Sequence, residues 1–256
     1  MDSTMKTFAT GYYGKLPARG DFITRGMPLT FTDPWDAWLQ SAIKASREAM
    51  GADWLQTYLS APLWRFLLPA GMLGPQAVIG VLCPSVDRVG RHFPFTIASI
   101  LGTERLDPAV TMVRADSWYE SVEETILDGL APSIDMEAFG QRLDALGFPA
   151  DAAAPGADAA LPGADVRSGL SSRDLHLHLA LAPGSIEASS LRPLQRAASG
   201  PLAFWVTAGS EVIPHCALAT AALPAPERFS AMLDGAWPEH GWRACPAVEN
   251  LWQPGA

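Results

Sequence analysis

Two segments of twelve residues constrain this chain more than anything else in it: Gly11-Tyr-Tyr-Gly-Lys-Leu-Pro-Ala-Arg-Gly-Asp-Phe22 and Pro84-Ser-Val-Asp-Arg-Val-Gly-Arg-His-Phe-Pro-Phe95. Each mixes glycine and proline, which fix backbone paths that other residues resist, with guanidinium and carboxylate groups. Charges set among Tyr12, Tyr13, Phe22, Phe93 and Phe95 are partly withdrawn from water, and a charge so placed needs a partner. Lys15, Arg19, Asp21 and Arg25 in the first segment can answer Asp87, Arg88 and Arg91 in the second. The fold must therefore bring the two together. We expect Asp21, Asp87 and Arg91 to form a structural polar lock. Lys15, Arg19, Arg25 and Arg88 are expected to form a basic rim facing an acidic or phosphorylated partner.

Around these segments the apolar pattern alternates between strand and helix. Thr7 to Tyr13 reads as a first strand, followed by the Gly- and Pro-rich loop. A helix is predicted from Asp33 as N-cap with Pro34 at its first position, burying Trp35, Trp38, Leu39 and Ala42 and stopping at Gly51. A short helix follows around Asp53 to Leu59. Three strands are predicted over 64–68, 76–83 and 93–101, the last two forming an antiparallel pair joined through the second polar segment. Helices return over 111–130 and 135–146. The first of these carries Asp116, Glu120, Glu124 and Asp128 four residues apart, a like-charged face that a basic partner would relieve. Further on, strands over 175–179, 202–207 and 213–218 and a short helix over 226–234 precede a tail holding Trp237, Trp242 and Trp252, which either clamp it onto the domain or form an exposed apolar patch that marks a contact site. Residues 149–172 differ in character, with Pro-Gly-Ala-Asp at 155–158 repeated at 162–165, and read as a mobile insertion.

The totals exclude several function classes. Hydrophobic residues at 48% and charged residues at 18% describe a chain with a sizeable core. The apolar runs fall well short of the ~18–20 residues that a membrane span needs. The N-terminus has no basic-then-apolar secretory pattern. Cys83, Cys216 and Cys245 cannot all pair and show no metal or redox spacing, so a reducing cytoplasm is the expected compartment. The net charge of −9 is uneven: residues 1–101 hold 9 basic against 7 acidic side chains, and residues 102–256 hold 9 against 20. No basic stripe exists to displace counterions, which argues against nucleic-acid binding.

Catalytic motifs are missing as well. The chain has no phosphate-cradling glycine loop, nucleophile elbow or paired-histidine zinc helix. Ser85, Asp87 and His92 supply the residue types of a nucleophilic triad, but His92 lies beside Arg91, where a proton-accepting imidazole is disfavoured. His176 and His178 share one face of a predicted strand and lack a third ligand nearby, so they read as a structural pair.

Four blocks in order resemble the TagF (ImpM) family, whose members accompany bacterial type VI secretion systems. They are the two polar segments, Trp35-Asp-Ala-Trp-Leu-Gln40 and Ala61-Pro-Leu-Trp-Arg-Phe66, spanning about residues 8–101. The resemblance implies an α/β fold, a three-layer sandwich with a central mixed, largely antiparallel sheet flanked by helices. Residues 1–148 would be the core and 149–172 the insertion, while 173–256 would complete the sheet or form a small subdomain. It also implies a cytoplasmic accessory protein that restrains secretion after translation by binding a forkhead-associated scaffold protein, with no cofactor, metal or catalytic residue. Some family members are fused to a phosphatase domain, for which this chain has neither the length nor the carboxylate pattern. Two readings from other classes stand beside this one: a hydrolase or phosphatase-like enzyme using Ser85, Asp87 and His92, and a longin- or profilin-like adaptor docking a small GTPase or membrane complex.

Overall fold

The structure, a computed structural model, describes residues 7–155, 175–182, 186–196 and 200–245. In chain order its elements begin with β1 (Thr7–Phe8), β2 (Thr10–Gly14), β3 (Ile23–Arg25), α1 (Leu29–Met50) and α2 (Trp54–Ser60). Next come β4 (Trp64–Leu68), β5 (Val78–Cys83), β6 (Phe95–Ile100), α3 (Pro108–Arg114), α4 (Asp116–Gly129), α5 (Met136–Ala145) and β7 (Phe148–Pro149). The chain continues through β8 (His176–Ala180), α6 (Ala188–Arg196), β9 (Ala203–Thr207), β10 (Cys216–Thr220), α7 (Ala231–Asp234) and β11 (Arg243–Ala244).

Among the described residues, nine strands form one sheet in the order β11-β8-β10-β9-β4-β5-β6-β2-β3. Every pairing is antiparallel except β11 with β8, so the sheet is mixed and largely antiparallel. The strands from beyond residue 173 are thus part of the same sheet as the N-terminal ones, joined where β9 pairs with β4.

Side-chain alternation makes this a three-layer α/β sandwich. Ile79, Val81 and Cys83 of β5 point into one core while Val78 and Leu82 point into the other. Phe204 and Val206 of β9 join the first core, and Ala203 and Trp205 the second. A strand apolar at every position is what a sheet buried on both faces requires. The first core is closed by Met112 of α3, Trp118, Tyr119, Val122 and Ile126 of α4 and Phe139 and Leu143 of α5. The second is closed by Phe31, Trp35, Trp38 and Leu39 of α1, Trp54 and Tyr58 of α2 and Met232 of α7. Tryptophan suits this second layer because an indole N–H can be given a fixed acceptor within the core. Trp35 donates to Thr96 at 3.0 Å, Trp38 to the Pro224 carbonyl at 2.7 Å and Trp64 to the Met232 carbonyl at 3.0 Å.

Several boundaries differ from the sequence expectation. The first long helix starts at Leu29, upstream of the Asp33–Pro34 pair, so Pro34 lies inside it and Asp33 caps nothing. Burial of Phe31 against Trp35, ring centroids 5.3 Å apart, favours the extra turn. Inside the helix Pro34 gives up one hydrogen bond and crowds the carbonyl four residues back, a cost that the burial of Phe31 and Trp35 offsets. The genuine Asp-Pro start lies elsewhere: Asp107 accepts from the Val110 amide at 3.2 Å, with Pro108 as the first helical residue. The predicted 111–130 helix is therefore two, α3 and α4, separated at Ala115. The early part of the predicted insertion belongs to the fold, because β7 pairs with β1 and Ala152 and Ala154 are buried. The remainder of that insertion, residues 156–172, and Trp252 lie outside the described residues. Trp237 and Trp242 are buried, packed edge-to-face against each other at 5.6 Å. No helix among the described residues is long and apolar enough to cross a membrane.

Candidate functional site

The two polar segments meet at one end of the sheet, where β2 runs into the loop to β3 and β5 runs into the loop to β6. Gly14 makes the meeting possible. Its φ of +132° lies in a region L side chains avoid, and a Cβ there would stand 2.2 Å from the Pro94 carbonyl oxygen. Beyond Gly14 the chain passes beneath the second loop, and Lys15 and Leu16 become buried.

Asp87 is the centre of the contact. Its side chain is fully buried, and its carboxylate accepts from Lys15 Nζ at 3.0 Å and from Arg91 Nε at 2.7 Å. The other oxygen takes the backbone amides of Val89 at 3.0 Å and Arg91 at 2.9 Å. Burial alone would raise the Asp87 pKa. The Arg91 amide and the Lys15 and Arg91 side chains outweigh it and hold the carboxyl well below the usual range. Arg91 reaches on to the Gly20 carbonyl and to Asp21 at 3.3 Å. The backbones are also stitched together, with the Arg88 amide donating to the Arg19 carbonyl at 2.8 Å.

Neighbouring side chains hold this knot to the helical layer formed by α1 and α2. The Tyr58 hydroxyl lies 3.0 Å from the Ser85 carbonyl and 3.0 Å from the Ser85 amide, giving to one and accepting from the other. Tyr13 donates to Asp36 of α1 at 2.6 Å, and burial followed by that carboxylate raises the pKa of its phenol. Phe22 stacks on Tyr13, meets Phe93 edge-on at 4.7 Å and lies 4.9 Å from the Lys15 ammonium.

Each residue singled out in the sequence now has a place. In the lock, Asp87 is the hub and Arg91 the bridge, whereas Asp21 has a side chain 96% exposed and touches only the outer end of Arg91. In the rim, Arg19 and Arg88 are exposed. Lys15 does not lie on a rim: it is the buried counterion of Asp87, drawn inward because a buried carboxylate needs cations on both flanks. Arg25 extends from β3 to α5, where it pairs with Asp144 at 2.7 Å. Tyr58 is the member that residue types did not reveal. Its only signal was helical spacing from Trp54, on which it stacks at 4.7 Å.

The triad residues are not arranged for nucleophilic chemistry. Ser85 Oγ donates to the Lys15 carbonyl at 2.7 Å. Asp87 is occupied as above, and the His92 ring sits edge-on to Trp54 and Tyr58 at 5.6 and 5.8 Å. Burial and the nearby Arg47 charge lower the His92 pKa. The acidic helix face finds basic partners within the chain. Arg65 pairs with Asp116 and Glu123, both at 2.6 Å, and Arg142 of α5 pairs with Asp128 and Glu124. His176 and His178 share a face of β8, and His178 stacks on Trp237 at 4.5 Å. No group of three or more candidate metal ligands occurs among the described residues. The three cysteines are buried and unpaired.

Residues 11–146 match the model of the TagF N-terminal domain, a type VI secretion system-associated family. The crystal structure of PA0076 from Pseudomonas aeruginosa PAO1 is similar throughout, with 36% identity, a TM-score of 0.70 and coverage of 97% of this chain and 100% of that one. None of the curated proteins matches the chain.

Proposed function

The chain belongs to the TagF family of type VI secretion-associated proteins, and we propose that it acts there as a cytoplasmic, non-enzymatic repressor working after translation. On this reading it binds a forkhead-associated scaffold component of the secretion system and withholds it from assembly. The observation that supports binding rather than turnover is how the polar chemistry of the paired loops is spent. Four donors converge on the Asp87 carboxylate, and Ser85 Oγ is committed to a backbone carbonyl. A nucleophile or base needs a free lone pair aimed at a substrate position. Here the Asp87 lone pairs are taken by those four donors and the Ser85 hydroxyl is tied to the Lys15 carbonyl, which makes a stiff platform, and stiff platforms suit recognition.

The test combines a deletion with a capture. Removing the gene should raise the amount of a secreted apparatus protein in the medium while leaving its transcript unchanged. The purified full chain should retain the purified scaffold component on a column. Unchanged secretion, or a scaffold that passes straight through, would count against the proposal.

A further inference from the structure

We infer that the exposed part of the paired loops is the seat of an acidic peptide segment, its carboxylates taken by Arg19 and Arg88 and an apolar side chain resting against Val89 and Phe22. This deepens the binding reading above and rests on it for the identity of the protein that carries the segment.

The first support is a mismatch of charge. Arg25, Arg65, Arg91, Arg142 and Arg192 each lie in an ion pair. In a chain of net charge −9, carboxylates to pair with are plentiful. Arg19 and Arg88, like Arg105 and Arg114, make no side-chain hydrogen bond or ion pair with any described residue, and what sets them apart is that their backbones are bonded to each other at 2.8 Å. A Cβ on Gly20 would lie 3.6 Å from the Arg88 guanidinium, so that group extends over the neighbouring loop. Two residues that each carry an unspent guanidinium are thereby held next to each other through their backbones.

The second support is what the loop backbone has left to offer. The amide of Asp87 donates to the Arg91 carbonyl, that of Arg88 to Arg19 and that of Gly90 to Asp87. Those of Val89 and Arg91 are consumed by the Asp87 carboxylate. Phosphate sites built on loops use free backbone N–H groups, and this loop has spent all five from 87 to 91. Planar guanidinium forks remain, whose geometry fits carboxylates two bonds at a time. Beside them Val89 is 66% and Phe22 46% exposed, apolar surface that a partner side chain would cover. The balance of charge is in keeping with this: residues 1–101 hold 9 basic against 7 acidic side chains, whereas residues 102–256 hold 9 against 20.

The test uses the full chain and a fluorescein-labelled synthetic peptide, Glu-Glu-Leu-Glu-Glu, read by fluorescence anisotropy at low salt. Binding should weaken about tenfold or more in Arg19→Glu/Arg88→Glu, in step with the loss of two charge-assisted contacts. Weakening by Val89→Asp and by a Leu-to-Ser change in the peptide is also expected, with melting temperatures unchanged. Arg105→Glu/Arg114→Glu, a control pair outside the loops, should bind as wild type. Should the Glu variant fold poorly, Arg19→Gln/Arg88→Gln removes the charges with less perturbation and should show the same loss. Equal affinity in the Arg19/Arg88 variants overturns the inference, as does tighter binding of a phosphoserine peptide lacking carboxylates. Scaffold capture separates the two readings. If the scaffold is retained equally by wild type and the Arg19/Arg88 variant, the seat fails and the regulator stands. If wild type binds the peptide through these arginines but never the scaffold, the regulator fails and the seat stands.

Discussion

Replacing Asp87 by Asn tests the architecture of the paired loops most directly. The substitution keeps the shape and one carbonyl oxygen for the Val89 and Arg91 amides. It turns the other oxygen, which takes Lys15 and Arg91, into an N–H donor facing two cations. Lys15 is 6% exposed and pairs with no other carboxylate among the described residues, so its charge is left buried and alone. Breaking a buried pair in this way costs about 3–5 kcal/mol. At about 2–4 °C per kcal/mol for a chain of this size, the melting temperature should fall by about 6–20 °C in a thermal scan at neutral pH. The pH dependence carries a sign of its own. The native carboxyl is held below its ordinary value of 3.8, so its stabilisation is complete above that value and is lost as pH falls through the native pKa. The gap between wild type and Asp87→Asn should therefore stay constant from neutral pH down to about pH 5 and close only in stronger acid. Lys15→Met should rescue part of the loss, since the double variant buries no unpaired charge. A variant melting within a degree or so of wild type, or a double variant whose losses simply add, would refute the reasoning.

Three further outcomes follow from the same geometry. Gly14→Ala should destabilise by at least about 1–3 kcal/mol through backbone strain alone, and further by collision with the Pro94 carbonyl; a neutral result in urea unfolding would contradict the close approach. Tyr58→Phe leaves the buried Ser85 amide without its acceptor and should cost about 1–3 kcal/mol by the same assay, with an unchanged value arguing against that bridge. His178, stacked on Trp237, has its pKa pushed down to about 4 by burial, from an ordinary 6.5. The unfolded chain thus takes up a proton first, and native stability falls as pH drops from 6.5 towards 4. His178→Phe should therefore gain on wild type at pH 5 relative to pH 7.5 in paired melting scans, and a pH-independent difference would exclude this origin.

The layered fold was legible because its signals are periodic and local. Strands apolar at every position, such as Val78–Cys83, announce a sheet covered on both faces, and the spacing of Trp35, Trp38 and Leu39 announces the helix that covers it. What failed was punctuation. Asp-Pro occurs at 33–34 and at 107–108, and the same dipeptide is a helix interior in one place and a helix start in the other. The difference is tertiary: Phe31 and Leu39 lie in the core beside Trp35, which holds the turn before Pro34 in helical form. Whether the late strands joined the sheet was equally illegible, since β9 meets β4 across well over a hundred residues of chain with no local mark of it.

At the site, charge types predicted the meeting of the loops but not the division of labour within it. Lys15 and Arg19 look interchangeable in sequence, four residues apart on one loop. Burial separates them, because Lys15 directly follows the last residue of β2 and goes under the second loop, while Arg19 lies at a turn where its amide donates to the Leu16 carbonyl. The compact ammonium fits beneath Phe22 beside one carboxylate oxygen; the guanidinium, larger and more weakly hydrated, stays outside with Arg88. The consequence for recognition is physical. A pair of exposed arginines on a loose loop would have to surrender side-chain and backbone freedom on binding, at about 0.5–1.5 kcal/mol for each rotamer-rich side chain and more for the loop. Here the backbone share has already been met during folding, through the Lys15–Asp87–Arg91 knot and the Tyr58 bridge to Ser85. The buried charges thus matter to binding without touching the partner. Weakening the knot should loosen the rim, so Asp87→Asn, at a temperature where it remains folded, should also bind the acidic peptide less tightly; affinity equal to wild type would mean that the knot serves the fold alone.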